Sequence, residues 1–151
     1  MKNIFTKKTH HILGITFVIC SQLYIGTASA TTLKTSENLS VVSVNGRSIP
    51  SYEKIEVSTE KALIELKYRD NFDTNADDSG NWVTSNSLYL ILPFESHKKY
   101  ELITPTINTE EKARDFIKAP TIQLLVNGHP TGEYKLESQS ELFTRMLIGT
   151  L

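Results

Sequence analysis

The chain has 151 residues and one cysteine, Cys20; three of its 16 basic residues lie in the first 30, which hold no acid, so residues 31–151 carry 13 Lys and Arg against 17 Asp and Glu, a formal charge of −4. This mildly acidic balance, without a basic stripe, speaks against nucleic acid as a partner and gives no attraction to anionic lipid. Residues 31–151 contain no cysteine, so disulfides cannot staple them and one domain's worth of apolar burial must hold the fold.

Residues 1–30 read as a secretory signal peptide. Lys2, Lys7 and Lys8 form a basic head, Ile12 to Cys20 an apolar middle, and Ala28-Ser29-Ala30 a small-residue exit. The apolar run is shorter than the about 20 residues a membrane-spanning helix needs. Cys20 raises the alternative of a lipid anchor. Lipidation calls for a small residue before the cysteine, and Ile19 is bulky and β-branched. Cleavage is therefore expected between Ala30 and Thr31, with a single β-rich domain over 31–151, a periplasmic address, and no stable membrane insertion once the leader is removed.

From there the chain is dense in strand signals. In LSVVSVNG, Val42 and Val44 alternate with Ser43, and Asn45-Gly46 marks a tight turn. Ile55 and Val57 share a face, as do Ile64, Leu66 and Tyr68, with Lys54, Glu56, Glu65 and Lys67 opposite. That is the period-two pattern of strands with one wet face. SLYLIL is apolar on both faces, which predicts a strand covered on both sides, ended by Pro93. KYELIT, 99–104, is the next predicted strand. NTEEKARDFIKAP switches to helical spacing: Asn108 and Glu111 suggest a capping box, Ala113, Phe116 and Ile117 share a face, and Pro120 stops the helix. TIQLLVNG returns to strand, with Ile122, Leu124 and Val126 aligned before Asn127-Gly128, and GEYKLES pairs back as a hairpin. Ser138 and Glu141 form a second capping box, predicting a helix over about 139–148 with Leu142, Met146, Phe143 and Leu147 on its apolar side. Six or seven strands and two short helices make a mainly β fold, a sandwich-like antiparallel arrangement.

Candidate sites are few. Asp73, Asn75 and Asp77 have the 1-3-5 spacing of a calcium loop, but Asp78 stands where the sharp turn needs Gly and Thr84 where a bidentate Glu belongs. A solvated hairpin loop is the plainer reading of 69–81. His97 and His129 sit in turn-like contexts without the clustered ligands zinc requires. A nucleophile elbow of the G-x-S-x-G kind is missing. Glu110 and Glu111 suit the first turn of a helix better than acid–base chemistry. Trp82, Tyr89, Tyr100 and Tyr134 could line a sugar-binding face, although aromatics are ordinary strand residues. No catalytic residue, cofactor or metal site is expected beyond the weak calcium half-motif.

Two segments carry a resemblance. Thr31-Thr32-Leu33, then Val42, Val44, Asn45 and Gly46, followed downstream by Ala113, Phe116, Pro120, Ile122, Leu124 and Leu125, resemble the YccT-like family of secreted Gram-negative proteins, a domain of unknown function. The likeness spans most of 31–136; family members usually run further at the C-terminus. Residues 41–68 are more weakly similar to small PEGA-type β modules of cell envelopes. The resemblance implies a periplasmic, non-enzymatic envelope protein and, for some members, modulation of curli amyloid and biofilm matrix. The expected partner is an envelope protein or matrix subunit met by strand-edge pairing through 39–44 or 132–138. The alternative is an envelope carbohydrate- or peptidoglycan-binding accessory module.

Overall fold

The computed structural model describes residues 31–50, 55–57, 60–72 and 81–149. The leader with Ala30, and the calcium half-motif Asp73, Asn75 and Asp77, lie outside the described residues.

Among the described residues, eleven strands and two helices follow in order: β1 (Thr31–Thr35), β2 (Leu39–Val44), β3 (Arg47–Ser48), β4 (Ile55–Val57), β5 (Lys61–Asn71), β6 (Trp82–Thr84), β7 (Leu88–Pro93), β8 (Lys99–Ile103), α1 (Glu110–Lys118), β9 (Thr121–Val126), β10 (His129–Lys135), β11 (Glu137–Ser138) and α2 (Gln139–Leu147). They form two sheets, in the orders β10-β9-β8-β1-β4 and β11-β7-β5-β2-β3, with β6 continuing along β5. The fold is thus mainly β and sandwich-like, as the patterning predicts. Both sheets are antiparallel except where β1 pairs in parallel with β8, Leu33 opposite Tyr100.

The sandwich closes on one core. Leu33, Val57, Tyr100, Leu102, Ile122 and Leu124 face inward from the first sheet. Ile64, Leu66, Tyr68, Leu88, Leu90 and Leu92 meet them from the second. Every second residue from Ala62 to Tyr68 in β5 and from Leu88 to Leu92 in β7 is buried, because successive strand side chains point to opposite faces. At about 1.5–3 kcal/mol for each large apolar side chain fully buried, this cluster is the main stabilising term. α1 plugs one end of it through Ala113 and Phe116, whose ring lies 4.9 Å from that of Tyr68.

Both Asn-Gly turns are as expected. Asn45 and Gly46 have φ of 51° and 77°, Asn127 and Gly128 51° and 80°. These are the left-handed values of a two-residue hairpin turn. Each Asn adds a second device: Asn45 Oδ1 accepts the Leu63 amide and Asn127 Oδ1 the Lys99 amide, both at 2.9 Å, so each turn is pinned to a neighbouring strand.

Several expectations are corrected. The chain has more strands than six or seven, because β3 and β11 have only two residues each and β1, with the polar sequence TTLKT, has no run of alternating apolar residues. The register slips between Val41 and Ser43, which leaves Val42 as the extra residue of a bulge; Val41 pairs with Leu66 and Val44 with Ile64. The α1 N-cap is Thr109, not Asn108: the Thr109 hydroxyl accepts the Lys112 amide. The Ser138–Glu141 capping box is present. But α2 buries Leu142 alone; Phe143, Met146 and Leu147 are 52, 50 and 87% exposed. The helix packs mainly against β7 and β11, with Leu142 as its one buried residue.

Candidate functional site

The four candidate aromatics do not share a face. Tyr100 is buried, its ring 4.6 Å from Phe94 and its hydroxyl accepting the Glu95 amide. Tyr89 and Tyr134 are half-buried on β7 and β10, strands of different sheets. Trp82 alone stands open, 50% exposed on β6. His97 and His129 are both exposed, His97 at a φ of 65° in the turn before β8. They are not brought together: among the described residues no three His, Cys, Asp or Glu cluster as metal ligands would. Glu110 and Glu111 open α1; Glu110 accepts from the Arg114 guanidinium one turn on, an ordinary helical ion pair.

Trp82 borders a groove that none of the motifs announced. Where the chain crosses between sheets, the turn Ser36–Asn38 comes to lie beside the end of β5 and the segment after β8. A cleft of about 560 Å³ opens there, lined by Asn38, Arg69, Asp70, Trp82, Thr104 and Ile107 among others. A second lobe of about 640 Å³ shares Asp70, Asn71 and Ile107 with it and reaches the start of α1 at Thr109 and Glu110.

A hydrogen-bonded chain fixes the floor. The buried Thr104 hydroxyl donates to Asn38 Oδ1 at 2.8 Å and lies 3.1 Å from Ser36 Oγ, which in turn accepts the Thr104 amide. Asn38 Nδ2 donates to Asp70 Oδ2 at 3.2 Å, where the Tyr68 hydroxyl also donates. The other Asp70 oxygen accepts the Asn71 amide. Burial first, then the Asp70 charge and its hydrogen bond, push the Tyr68 phenol well above its ordinary range. The phenol therefore stays a donor. Above the floor, the Arg69 guanidinium sits 4.0 Å over the Trp82 ring, a cation–π contact that sets the indole's orientation.

Pairing geometry explains the arrangement. Arg69 pairs with Thr84 and Asn71 with Trp82, so Arg69 and Trp82 are diagonal neighbours on one face of the β5–β6 ribbon. Counting back from a hairpin across 72–81 would have placed them together. Nothing local in the sequence could have brought Asn38 and Thr104 to Asp70, since 66 residues separate the first two.

The predicted pairing edges fare differently. β10 is the outermost strand of its sheet, so 132–135 has one unpaired side. Leu136 N–H donates to the Pro120 carbonyl; by the alternation of antiparallel ladders, Tyr134 and Gly132 then face β9, while Glu133 and Lys135 direct their backbone groups outward. Residues 39–44 are not a free edge throughout: β3 pairs with Ser43 and Val44, and the Ile49 amide donates to Val42. Among the described residues no helix is long and apolar enough to cross a membrane.

Residues 32–142 match the family described as an uncharacterized protein conserved in bacteria, DUF2057. No curated protein and no solved structure matches the chain. The chain belongs to that family, in keeping with the resemblance drawn from Thr31 to Leu125.

Proposed function

We propose that this member of the DUF2057 family is a non-catalytic binding protein of the periplasm, which takes an extended partner segment onto the open side of β10. The observation that carries the reading is the position of β10 at the end of its sheet, with the amide and carbonyl groups of Glu133 and Lys135 turned outward. Such a row of donors and acceptors is satisfied by water or by a further strand, and strand addition supplies affinity through main-chain bonds. The signal-peptide reading of 1–30 puts the protein where an amyloid subunit in transit to the surface, such as that of curli, is still unfolded and extended. That subunit, or another envelope or matrix protein, is the proposed partner.

The test is fibril growth by purified curli subunit in the presence of the protein. A lengthened lag and slower elongation at substoichiometric protein support the proposal, and unchanged kinetics refute it. Glu133→Pro removes an outward amide without taking a donor from the β9 ladder. The variant should fold and lose the effect; retention of the full effect would remove β10 from the mechanism.

A further inference from the structure

The groove at Trp82 is a second surface, independent of the β10 edge. Its floor is preorganised: Ser36, Thr104, Asn38, Asp70 and Tyr68 bond one another in sequence, so little ordering remains when a ligand arrives. Its rim is open. Trp82 is half exposed, and the Arg69 guanidinium, which lies over the indole, has no carboxylate partner among the described residues. The Glu37 carboxylate and Thr106 hydroxyl border the same cleft as further open polar groups. A flat apolar ring, with a fork of donors over one face, thus stands beside a set of acceptors.

Few ligand classes fit that combination. A purely apolar ligand would strand the polar rim, at about 1–3 kcal/mol for each group left unsatisfied. A nucleic acid would meet Glu37 and Asp70 on a chain of net charge −4 over residues 31–151. A pyranose has one apolar C–H face for the indole and a perimeter of hydroxyls that both donate and accept. The two lobes, of about 560 and 640 Å³, share Asp70, Asn71 and Ile107 in their walls and have the volume for more than one ring. We propose that this groove binds a saccharide chain, with one sugar ring against the face of Trp82 turned away from Arg69 and the chain's hydroxyls or carboxylates held at the rim by Arg69, Glu37 and Thr106.

Trp82 is the only tryptophan of the chain, so its emission reports this groove alone. The purified protein is titrated with soluble peptidoglycan fragments, a neutral glucan oligomer and an oligogalacturonate, with excitation where tyrosine does not absorb. At least one of them should change the emission saturably and shield Trp82 from acrylamide quenching, and should do so equally in the Glu133→Pro variant. A preference for the acidic oligomer means that Arg69 meets a carboxylate, and Arg69→Ala then abolishes the preference; a preference for a neutral chain means that it meets hydroxyls. Trp82→Ala should weaken calorimetric binding by about tenfold or more, the loss of an aromatic contact of roughly 1.4 kcal/mol, at nearly unchanged Tm. Unaltered emission with all three saccharides overturns the proposal, as does binding that survives Trp82→Ala.

Discussion

Asn38 ties the two sheets together at the groove, and Asn38→Ala measures that tie. Its Oδ1 accepts from Thr104, just past β8 in one sheet, and its Nδ2 donates to Asp70, on β5 in the other. Truncation removes both side-chain bonds but leaves the backbone bond from Arg69 N–H to the Asn38 carbonyl. Neither partner is orphaned: Thr104 keeps Ser36, and Asp70 keeps Tyr68 and the Asn71 amide. The loss is then the net worth of two hydrogen bonds, about 1 kcal/mol each, so about 2 kcal/mol in all. With an unfolding entropy of about 2.1 cal/mol/K per residue over about 120 residues, this lowers Tm by about 8 °C. Ser40→Ala is the control, because its hydroxyl makes a single exposed bond to the Lys67 carbonyl. The assay is a thermal melt of the single variants, of Thr104→Val and of the Asn38/Thr104 double variant. The cycle should give a coupling of about 1 kcal/mol between residues in direct contact. A Tm fall no larger than that of Ser40→Ala, or strict additivity in the double variant, would refute the claim that this chain of bonds braces the sandwich.

Three further outcomes follow from particular residues. Hydrogen bonds from Lys135 and then from Ser138 lower the Glu141 carboxyl from 4.5 to about 2; its contribution is therefore present above pH 4.5 and lost as pH falls through about 2. Because the side chain is 47% exposed, that contribution is screened to about 1 kcal/mol, and the Tm gap between the protein and Glu141→Gln should close on acidification. Gly128→Ala should destabilise by about 1–2 kcal/mol in a urea melt through backbone strain alone, since φ is +80° and no atom lies within 4 Å of the added methyl. Phe116→Ala should cost about 3–5 kcal/mol by the same measurement, as the ring is 7% exposed and packs on Tyr68.

Much of the sandwich was written in the alternation of its strands. In β5 and β9 large apolar residues recur at every second position, and parity alone assigns Ile64, Leu66, Ile122 and Leu124 to the core; β7, apolar on both faces, buries Leu88, Leu90 and Leu92 and leaves Tyr89 and Ile91 half-buried, which parity could not decide. Where a strand has few such residues, the signal fails. β1 contributes Leu33 alone as a large apolar side chain, and it is held by pairing with both β4 and β8; a parallel contact between residues 32 and 99 leaves no mark in local sequence. The α1 cap slipped by one residue because Asn108 and Thr109 can both cap, and Asn108 Oδ1 instead accepts from Lys112 Nζ. Parity also held part of the groove. It sets Tyr100 with Leu102 and opposes Trp82 to the buried Val83, so Trp82 could have been singled out as the open aromatic. The floor, assembled from three distant segments, could not.

The distribution of edges bears on how a strand-rich protein could add a partner's strand without adding its own. Strand ends of sheets template further strands, and short, bulged, charged or proline-bearing edges blunt that tendency. Here the outermost strands β3 and β11 have two residues each and β4 three. β10 is longer, but Pro130 removes a donor and a register shift between Pro130 and Gly132 breaks its first half. At the far end Lys135 is bound to Glu141 of α2. What remains is the four-residue window Gly132–Lys135, flanked by a bulge on one side and a helix on the other. A second copy of the chain would have to offer an equally short edge to it, and the pair would gain only a few main-chain bonds. An unfolded partner can bring a free extended segment of any register and add side-chain contacts beyond the window. The geometry of β10 therefore favours capture of an extended chain over self-association, and sedimentation should find the protein unassembled at the concentrations used in the proposed fibril-growth assay.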